Sequence, residues 1–153
     1  MHIAYYKSPI GILRIGGSED GVHELEFTEL QSSPDTEVHP CLRECFEQLE
    51  EYFANGRREF SLQLQPKGTD FQQLVWRQLQ KIPFGRTASY LDIAMAIGNR
   101  KAIRAVGAAI GQNRIPIIIP CHRVIGSDGS LIGFGGGIWR KEWLLKHEKA
   151  VLV

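Results

Sequence analysis

Gln65-Pro66-Lys67-Gly68 is where this chain changes character. Before it, short apolar stretches alternate with turns: Tyr5-Tyr6 ahead of Ser8-Pro9, Ile10 to Ile15 ahead of Gly16-Gly17, and Val22 to Phe27 after Asp20-Gly21. That spacing predicts a small antiparallel sheet. From Pro40 to Phe53 the apolar residues Leu42, Cys45, Phe46, Leu49, Tyr52 and Phe53 recur at helical intervals, and Asn55-Gly56 ends the run. A last strand is expected through Phe60, Leu62 and Leu64. After Gly68 the pattern is helical. One helix is capped by Thr69 or Asp70, with Phe71, Leu74, Val75 and Leu79 on one face, and is stopped by Pro83-Phe84-Gly85. A short helix over Tyr90 to Ile97, a turn at Gly98-Asn99 and a helix over Lys101 to Ile110 have helix-turn-helix proportions. A closing helix runs from Arg140 to Lys149. The expected architecture is an α/β N-terminal domain over 1–66, with a small antiparallel sheet and a helix. A mostly α C-terminal domain over 67–153 follows it, carrying the helix-turn-helix.

Charge divides at the same place. The whole chain carries a net +1, but residues 1–66 hold five basic and twelve acidic side chains, a net −7, and residues 67–153 hold thirteen basic and five acidic, a net +8. A basic half invites a polyanion, and two oppositely charged halves also attract each other, so the split alone does not choose. With 43% hydrophobic and 23% charged residues the composition is that of an ordinary globular protein. The first residues lack the pattern of a secretion signal, and no run reaches the roughly 20 apolar residues of a membrane helix. The expected location is cytoplasmic, or nuclear in a eukaryote, with no membrane partner. Three cysteines cannot all pair, and Cys41 and Cys45 lie one helical turn apart, so free thiols in a reducing compartment fit. His39, Cys41 and Cys45, even with His23, match no compact zinc spacing, and no metal is expected.

The residues with most chemical content are Pro120-Cys121-His122-Arg123. The preceding Ile115-Pro116-Ile117-Ile118-Ile119 is β-branched and interrupted by proline, and reads as a buried strand or extended segment that presents Cys121 at a fixed place. A thiol near pKa 8.5 is mostly protonated at neutral pH, and His122 is a potential base for it. On these residues alone, Cys121 is as readily a buried structural thiol and His122 a satisfied core histidine. In the helix over Lys101 to Ile110, Ile103, Val106 and Ile110 form the expected core stripe. Ala102, Ala105, Ala108 and Ala109, flanked by Lys101 and Arg104, form an outer face of small side chains. Such a face suits close approach to a nucleic-acid groove or backbone, or tight packing on another protein element. It carries no Asn or Gln to read base edges.

Pro120-Cys121-His122-Arg123 occurs together with Phe71-Gln72-Gln73-Leu74-Val75-Trp76, Ile82-Pro83-Phe84-Gly85, Ser89-Tyr90, Arg104-Ala105-Val106-Gly107 and Lys141-Glu142-Trp143-Leu144-Leu145. In this order the segments resemble the O6-alkylguanine-DNA alkyltransferases, a family of direct-reversal DNA repair proteins. The resemblance covers residues 69–149 closely and the first 65 or so in general layout. It implies that Cys121 takes the alkyl group, once per molecule, with no metal or organic cofactor. It also implies that Glu148 orients His122, that a water lies between Cys121 and His122, and that the Tyr90 phenol donates to guanine N3.

The implied partner is double-stranded DNA containing O6-alkylguanine, bound by a monomer through the minor groove. Lys101, Ala102, Ala105 and Ala108 lie against it, and Arg104 fills the stack left by the flipped nucleotide. Asn113 ties the helix-turn-helix to the reactive segment, Lys141 lies near the pocket, and Leu131 to Gly137 wall it. Phe134 stands where many relatives have Tyr, and Gly135 where many have a polar or small residue, so this loop lacks a hydroxyl. Two other readings are a lesion-binding protein of the alkyltransferase-like group, against which Cys121 argues, and a Cys-His hydrolase, which leaves the basic half unexplained.

Overall fold

The computed structural model describes residues 1–150 and divides into two compact units, one spanning Met1–Lys67 and the other beginning at Gly68. In the N-terminal unit β1 (His2–Ser8), β2 (Gly11–Ser18) and β3 (Gly21–Phe27) form an antiparallel sheet in sequence order. Two-residue turns join them, with Ser8 opposite Gly11 and Ser18 opposite Gly21. The helix α1 (Pro40–Phe53) has the bounds its apolar spacing predicts, and buries Leu42, Cys45, Leu49 and Tyr52 against the sheet residues Ala4, Leu13, Ile15, Val22 and Leu25. Gly17 permits this approach, since a Cβ there would lie 2.8 Å from Leu42 Cδ2 and 2.7 Å from the Gly21 carbonyl oxygen.

The expected strand through Phe60, Leu62 and Leu64 does not form. One parallel bridge links Val22 to Leu64. The segment is held instead by the buried Gln48 side chain, which donates to the Ser61 carbonyl at 3.1 Å and accepts from the Ser61 N–H at 2.9 Å. A side-chain amide has taken hydrogen bonds that a neighbouring strand would otherwise make.

The C-terminal unit is mostly helical, with α2 (Asp70–Leu79), α3 (Tyr90–Ala96), α4 (Ile103–Gly111) and α5 (Ile138–His147). Thr69 and Gln72 form a capping box on α2, and Ser89 and Asp92 form another on α3. The buried face of α2 is Val75, Trp76 and Leu79, whereas Leu74 is 36% exposed and Phe71 half-buried. The predicted face is rotated because Trp76 offers the largest area to bury, and its indole N–H donates to the Ala109 carbonyl of α4 at 2.8 Å.

The phase of α4 differs too. It starts two residues later than its pattern predicts, with Ala102 at the cap. It buries Val106, Ala109 and Ile110, leaving Ile103 41% exposed. Ala109 therefore belongs to the core, and Ile103 to the surface beside Arg104. The closing helix spans Ile138–His147, displaced two residues from the expected start and end.

Candidate active site

The segment leading to Cys121 is neither a strand nor extended. Ile117 has φ 73°, and the Ile118 N–H donates to the Pro116 carbonyl at 2.9 Å, the γ-turn with positive φ that β-branched residues rarely accept. Pro120, at φ −79° and ψ 65°, makes the inverse γ-turn, across which the Cys121 N–H donates to the Ile119 carbonyl at 2.7 Å. Between the two, the Ile119 N–H reaches the Ile115 carbonyl at 2.9 Å. Prolines at 116 and 120 supply no N–H for a ladder, and the chain coils into a buried knot.

Asn113 ties that knot. Its amide nitrogen donates to the Ile119 carbonyl at 2.8 Å, and its amide oxygen accepts from the Ile115 N–H at 3.0 Å. Asn113 lies just past Gln112, the C-cap of α4, so one side chain joins the end of that helix to the segment before Cys121. Cys121 then opens a single 3-10 turn, Cys121–Arg123, which feeds β5 (Val124–Ile125). This short strand pairs in parallel with β4 (Ala88–Ser89), placing Ser89 opposite Ile125 and Tyr90 on the next residue.

Behind Cys121 lies a buried ionic triad. Glu148 is the C-cap residue of α5, its backbone N–H donating to the Leu144 carbonyl, and its carboxylate is 2.7 Å from His122 Nε2. The carboxylate also accepts from Arg123 Nε at 2.7 Å and Nη2 at 3.0 Å. The third guanidinium direction, Nη1, donates to the Ile82 carbonyl at 2.7 Å. Burial alone raises the Glu148 pKa, but the hydrogen bonds and charges of His122 and Arg123 outweigh it and hold the carboxyl well below the usual range. Desolvation lowers the His122 pKa despite Glu148, so the imidazole rests neutral. With a carboxylate at Nε2 the proton sits there, and buried Nδ1 has no hydrogen-bond partner. That lone pair is the basic end of the ring.

Burial pushes the Cys121 thiol up to about 11, against the opposing pull of Asn113 and Lys141. The resting sulfur is thus protonated and needs a base as it attacks. No direct hydrogen bond joins Sγ to the imidazole. Desolvation brings buried Lys141 down to about 8, with the Cys121 charge opposing, so it stays largely cationic at neutral pH and favours a thiolate. Its ammonium donates to the Ile132 carbonyl at 2.8 Å, and the Tyr90 hydroxyl donates to the same oxygen at 3.0 Å. Desolvation, and then the Cys121 charge, raise the Tyr90 pKa, keeping a proton on the phenol. The loop over 131–137 is thereby fastened by two side chains. Phe134 is half-buried in it, and Gly135 is exposed with open space where a Cβ would be.

The structure brings together Cys121, His122, Glu148, Asn113, Tyr90 and Lys141 as connected groups. It places Arg104, Lys101, Ala105 and Ala108 on the exposed side of α4 and its entry, with Ala102 half-buried. Arg123 has no role assigned from sequence beyond its place in the tetrapeptide, yet it is Glu148's bidentate partner. A buried Arg is found by asking which carboxylate pairs with it, and that partner lies 25 residues away.

Two family models match: the 6-O-methylguanine DNA methyltransferase ribonuclease-like domain over residues 1–66, and the DNA-binding domain of the same methyltransferase over 70–150. The methylated-DNA–protein-cysteine methyltransferase of Methanosarcina acetivorans is 45% identical, over 97% of this chain and 98% of its own. The constitutive enzyme of that name from Bacillus subtilis is 44% identical over 94% and 92%. The crystal structure of the Mycobacterium tuberculosis O6-methylguanine methyltransferase superposes with a TM-score of 0.87 at 45% identity, covering 97% of this chain and 92% of that one. The mycobacterial protein in complex with DNA gives 0.89 at 46%, covering 97% and 93%. With both halves matched by its models and near full-length relatives at this identity, the chain belongs to the methylated-DNA–protein-cysteine methyltransferase family.

Proposed function

We propose that this protein repairs O6-alkylguanine in double-stranded DNA by moving the alkyl group to Cys121 Sγ in a single irreversible turnover. The observation that carries this is the pairing of His122 Nε2 with the Glu148 carboxylate, which leaves buried Nδ1 without a partner. Glu148 holds the proton at Nε2, and the bare Nδ1 is left to accept the thiol proton through a water as the sulfur attacks. A carbon–sulfur bond forms, the bond from that carbon to O6 breaks, and the electron pair leaves on the guanine. Tyr90 releases its Ile132 contact and donates to N3 as that charge develops. The thiol proton is taken by His122 and the guanine gains one from Tyr90, so thiol and aryl ether become thioether and neutral guanine. The product thioether has no leaving group that water can displace cheaply, so the molecule is spent.

The helices α3 and α4 act as a helix-turn-helix that enters the minor groove. The exposed Ala105 and Ala108 admit the backbone, and Lys101 contacts phosphate. Arg104 occupies the stack vacated by the flipped nucleotide. The +8 net charge of residues 67–153 supports this assignment, and the protein works as a monomer. No helix among the described residues is long and apolar enough to cross a membrane, and all three cysteines are free, which supports a reducing cytoplasmic or nuclear setting.

The test is stoichiometry. Excess DNA labelled on the O6-alkyl group gives one burst that plateaus near one label per active molecule, with the added mass on the Cys121 peptide. Continued turnover identifies a hydrolase, and absence of any mass shift identifies a lesion-binding protein. A second expectation separates base flipping from chemistry. Arg104→Ala slows repair of duplex DNA by about tenfold or more, yet reacts with free O6-benzylguanine at close to the parent rate, since a free base needs no extrusion. Equal loss on both substrates removes Arg104 from the stack.

A further inference from the structure

The N-terminal unit holds a cluster that alkyl transfer does not use. His2 opens β1, His39 is the N-cap of α1, and Cys41 is that helix's second residue. Ligand-capable atoms of the three lie within 4.8 Å of one another, and no other such group of three or more His, Cys, Asp or Glu occurs among the described residues. His39 Nδ1 is 3.1 Å from Cys41 Sγ, and the His2 and His39 rings stack with centroids 3.5 Å apart and planes 12° apart. We propose that His2, His39 and Cys41 bind a thiophilic divalent cation of the zinc class, joining the start of β1 to the start of α1.

The donor set selects the ion. Two imidazoles and a thiolate suit Zn(II), whereas calcium and magnesium require oxygen. Bonds of about 2.0–2.3 Å in a tetrahedron space the donor atoms about 3.3–3.7 Å apart. The His39 Nδ1–Cys41 Sγ pair already has nearly that spacing, but Nδ1 also accepts from the Cys41 N–H at 3.2 Å and must release that helix cap to ligate. No pair in the cluster need close by more than about 1 Å. Parallel stacked rings cannot both point a lone pair at one ion lying in their planes. The His2 ring must therefore swing off His39, which its exposed position allows. On binding, the Cys41 thiol proton leaves to solvent and a sulfur–metal bond replaces it.

Three protein ligands leave a fourth position for water. Cys41 also lines a cavity of about 170 Å³ whose wall includes Glu19 and Glu44, so the local charge favours a cation. The sequence grouping of His39 and Cys41 with Cys45 and His23 fails for clear reasons. Cys45 is 2% exposed in the core under α1, and His23 Nε2 is held at 2.9 Å by Ser18 Oγ. His2, distant in sequence, takes their place through the fold.

Full-length protein carrying Cys121→Ser, which removes the reactive thiol as a competing ligand, is titrated with zinc and with cobalt(II). One ion per chain is expected. Cobalt should give a thiolate charge-transfer band and the intense visible bands of a four-coordinate site, and zinc should raise the melting midpoint. His2→Ala and Cys41→Ser, each added separately at positions outside the buried core, should abolish the charge-transfer band and the zinc-induced shift. No bound ion in the Cys121→Ser protein overturns the proposal. So does a charge-transfer band or zinc shift that survives either added substitution. Because Cys121 is absent throughout, these outcomes are independent of whether the protein transfers alkyl groups.

Discussion

Replacing Cys121 with Ala abolishes alkyl transfer from O6-alkylguanine DNA and leaves duplex affinity within about twofold of the parent. The asymmetry follows from where the sulfur sits. Cys121 is 6% exposed at the base of the site, whereas the cationic and small side chains proposed to hold DNA are on the exposed side of α4. Removing one buried sulfur costs about 1 kcal/mol of packing, too little to unfold a domain of ordinary stability. Neither remaining thiol substitutes for it. Cys45 lies in the separate N-terminal unit, its thiol pushed up to about 12 by burial, and Cys41 lies at the start of α1 in that same unit. Label transfer and salt-dependent duplex binding, measured on the same preparation, check both halves of this expectation. Residual transfer above background in Cys121→Ala means that another atom is the nucleophile. A large loss of affinity means that Cys121 shapes the DNA surface.

What the sequence disclosed about this site depended on the range over which each interaction acts. The bounds of α1 are legible because apolar spacing and a terminal Asn55-Gly56 are local signals, and Asn55 indeed adopts φ 65°. The turns before Cys121 are not legible, because β-branched residues and prolines predict extension. The coil is imposed by the Asn113 amide, whose partners are set by the tertiary path of the chain. The same limit hid Arg123, whose partner Glu148 is distant in sequence, and His2, whose neighbours are on α1. In α4 the error was one of phase. A helix that begins at Ile103 instead of Lys101, and that must bring Ala109 under the Trp76 indole, turns Ile103 outward. Periodicity identifies that a face exists, and packing chooses which residues form it.

Glu148→Gln is expected to lower stability by about 3–5 kcal/mol, because the Arg123 guanidinium then remains buried without a counter-charge. For a chain of this length that corresponds to roughly 6–20 °C in melting midpoint. The chemical loss has a separate cause. A glutamine amide can donate to His122 Nε2, which shifts the ring proton to Nδ1 and blocks the end that accepts from sulfur. Transfer should slow by about 10²–10⁴ even where the variant is fully folded. The pH dependence gives a third readout with a definite sign. Both groups have folded pKa values below their ordinary ones, 6.5 for His122 and 4.5 for Glu148. The unfolded chain therefore takes up protons first, and stability present at neutral pH declines as pH falls. The decline starts near 6.5 through His122 and steepens below about 4.5 through Glu148. Glu148→Gln removes the steeper part. Denaturant unfolding at a series of pH values, paired with single-turnover transfer rates, tests the set. A variant that keeps parental stability and rate would show that the carboxylate neither neutralises Arg123 nor sets the imidazole tautomer.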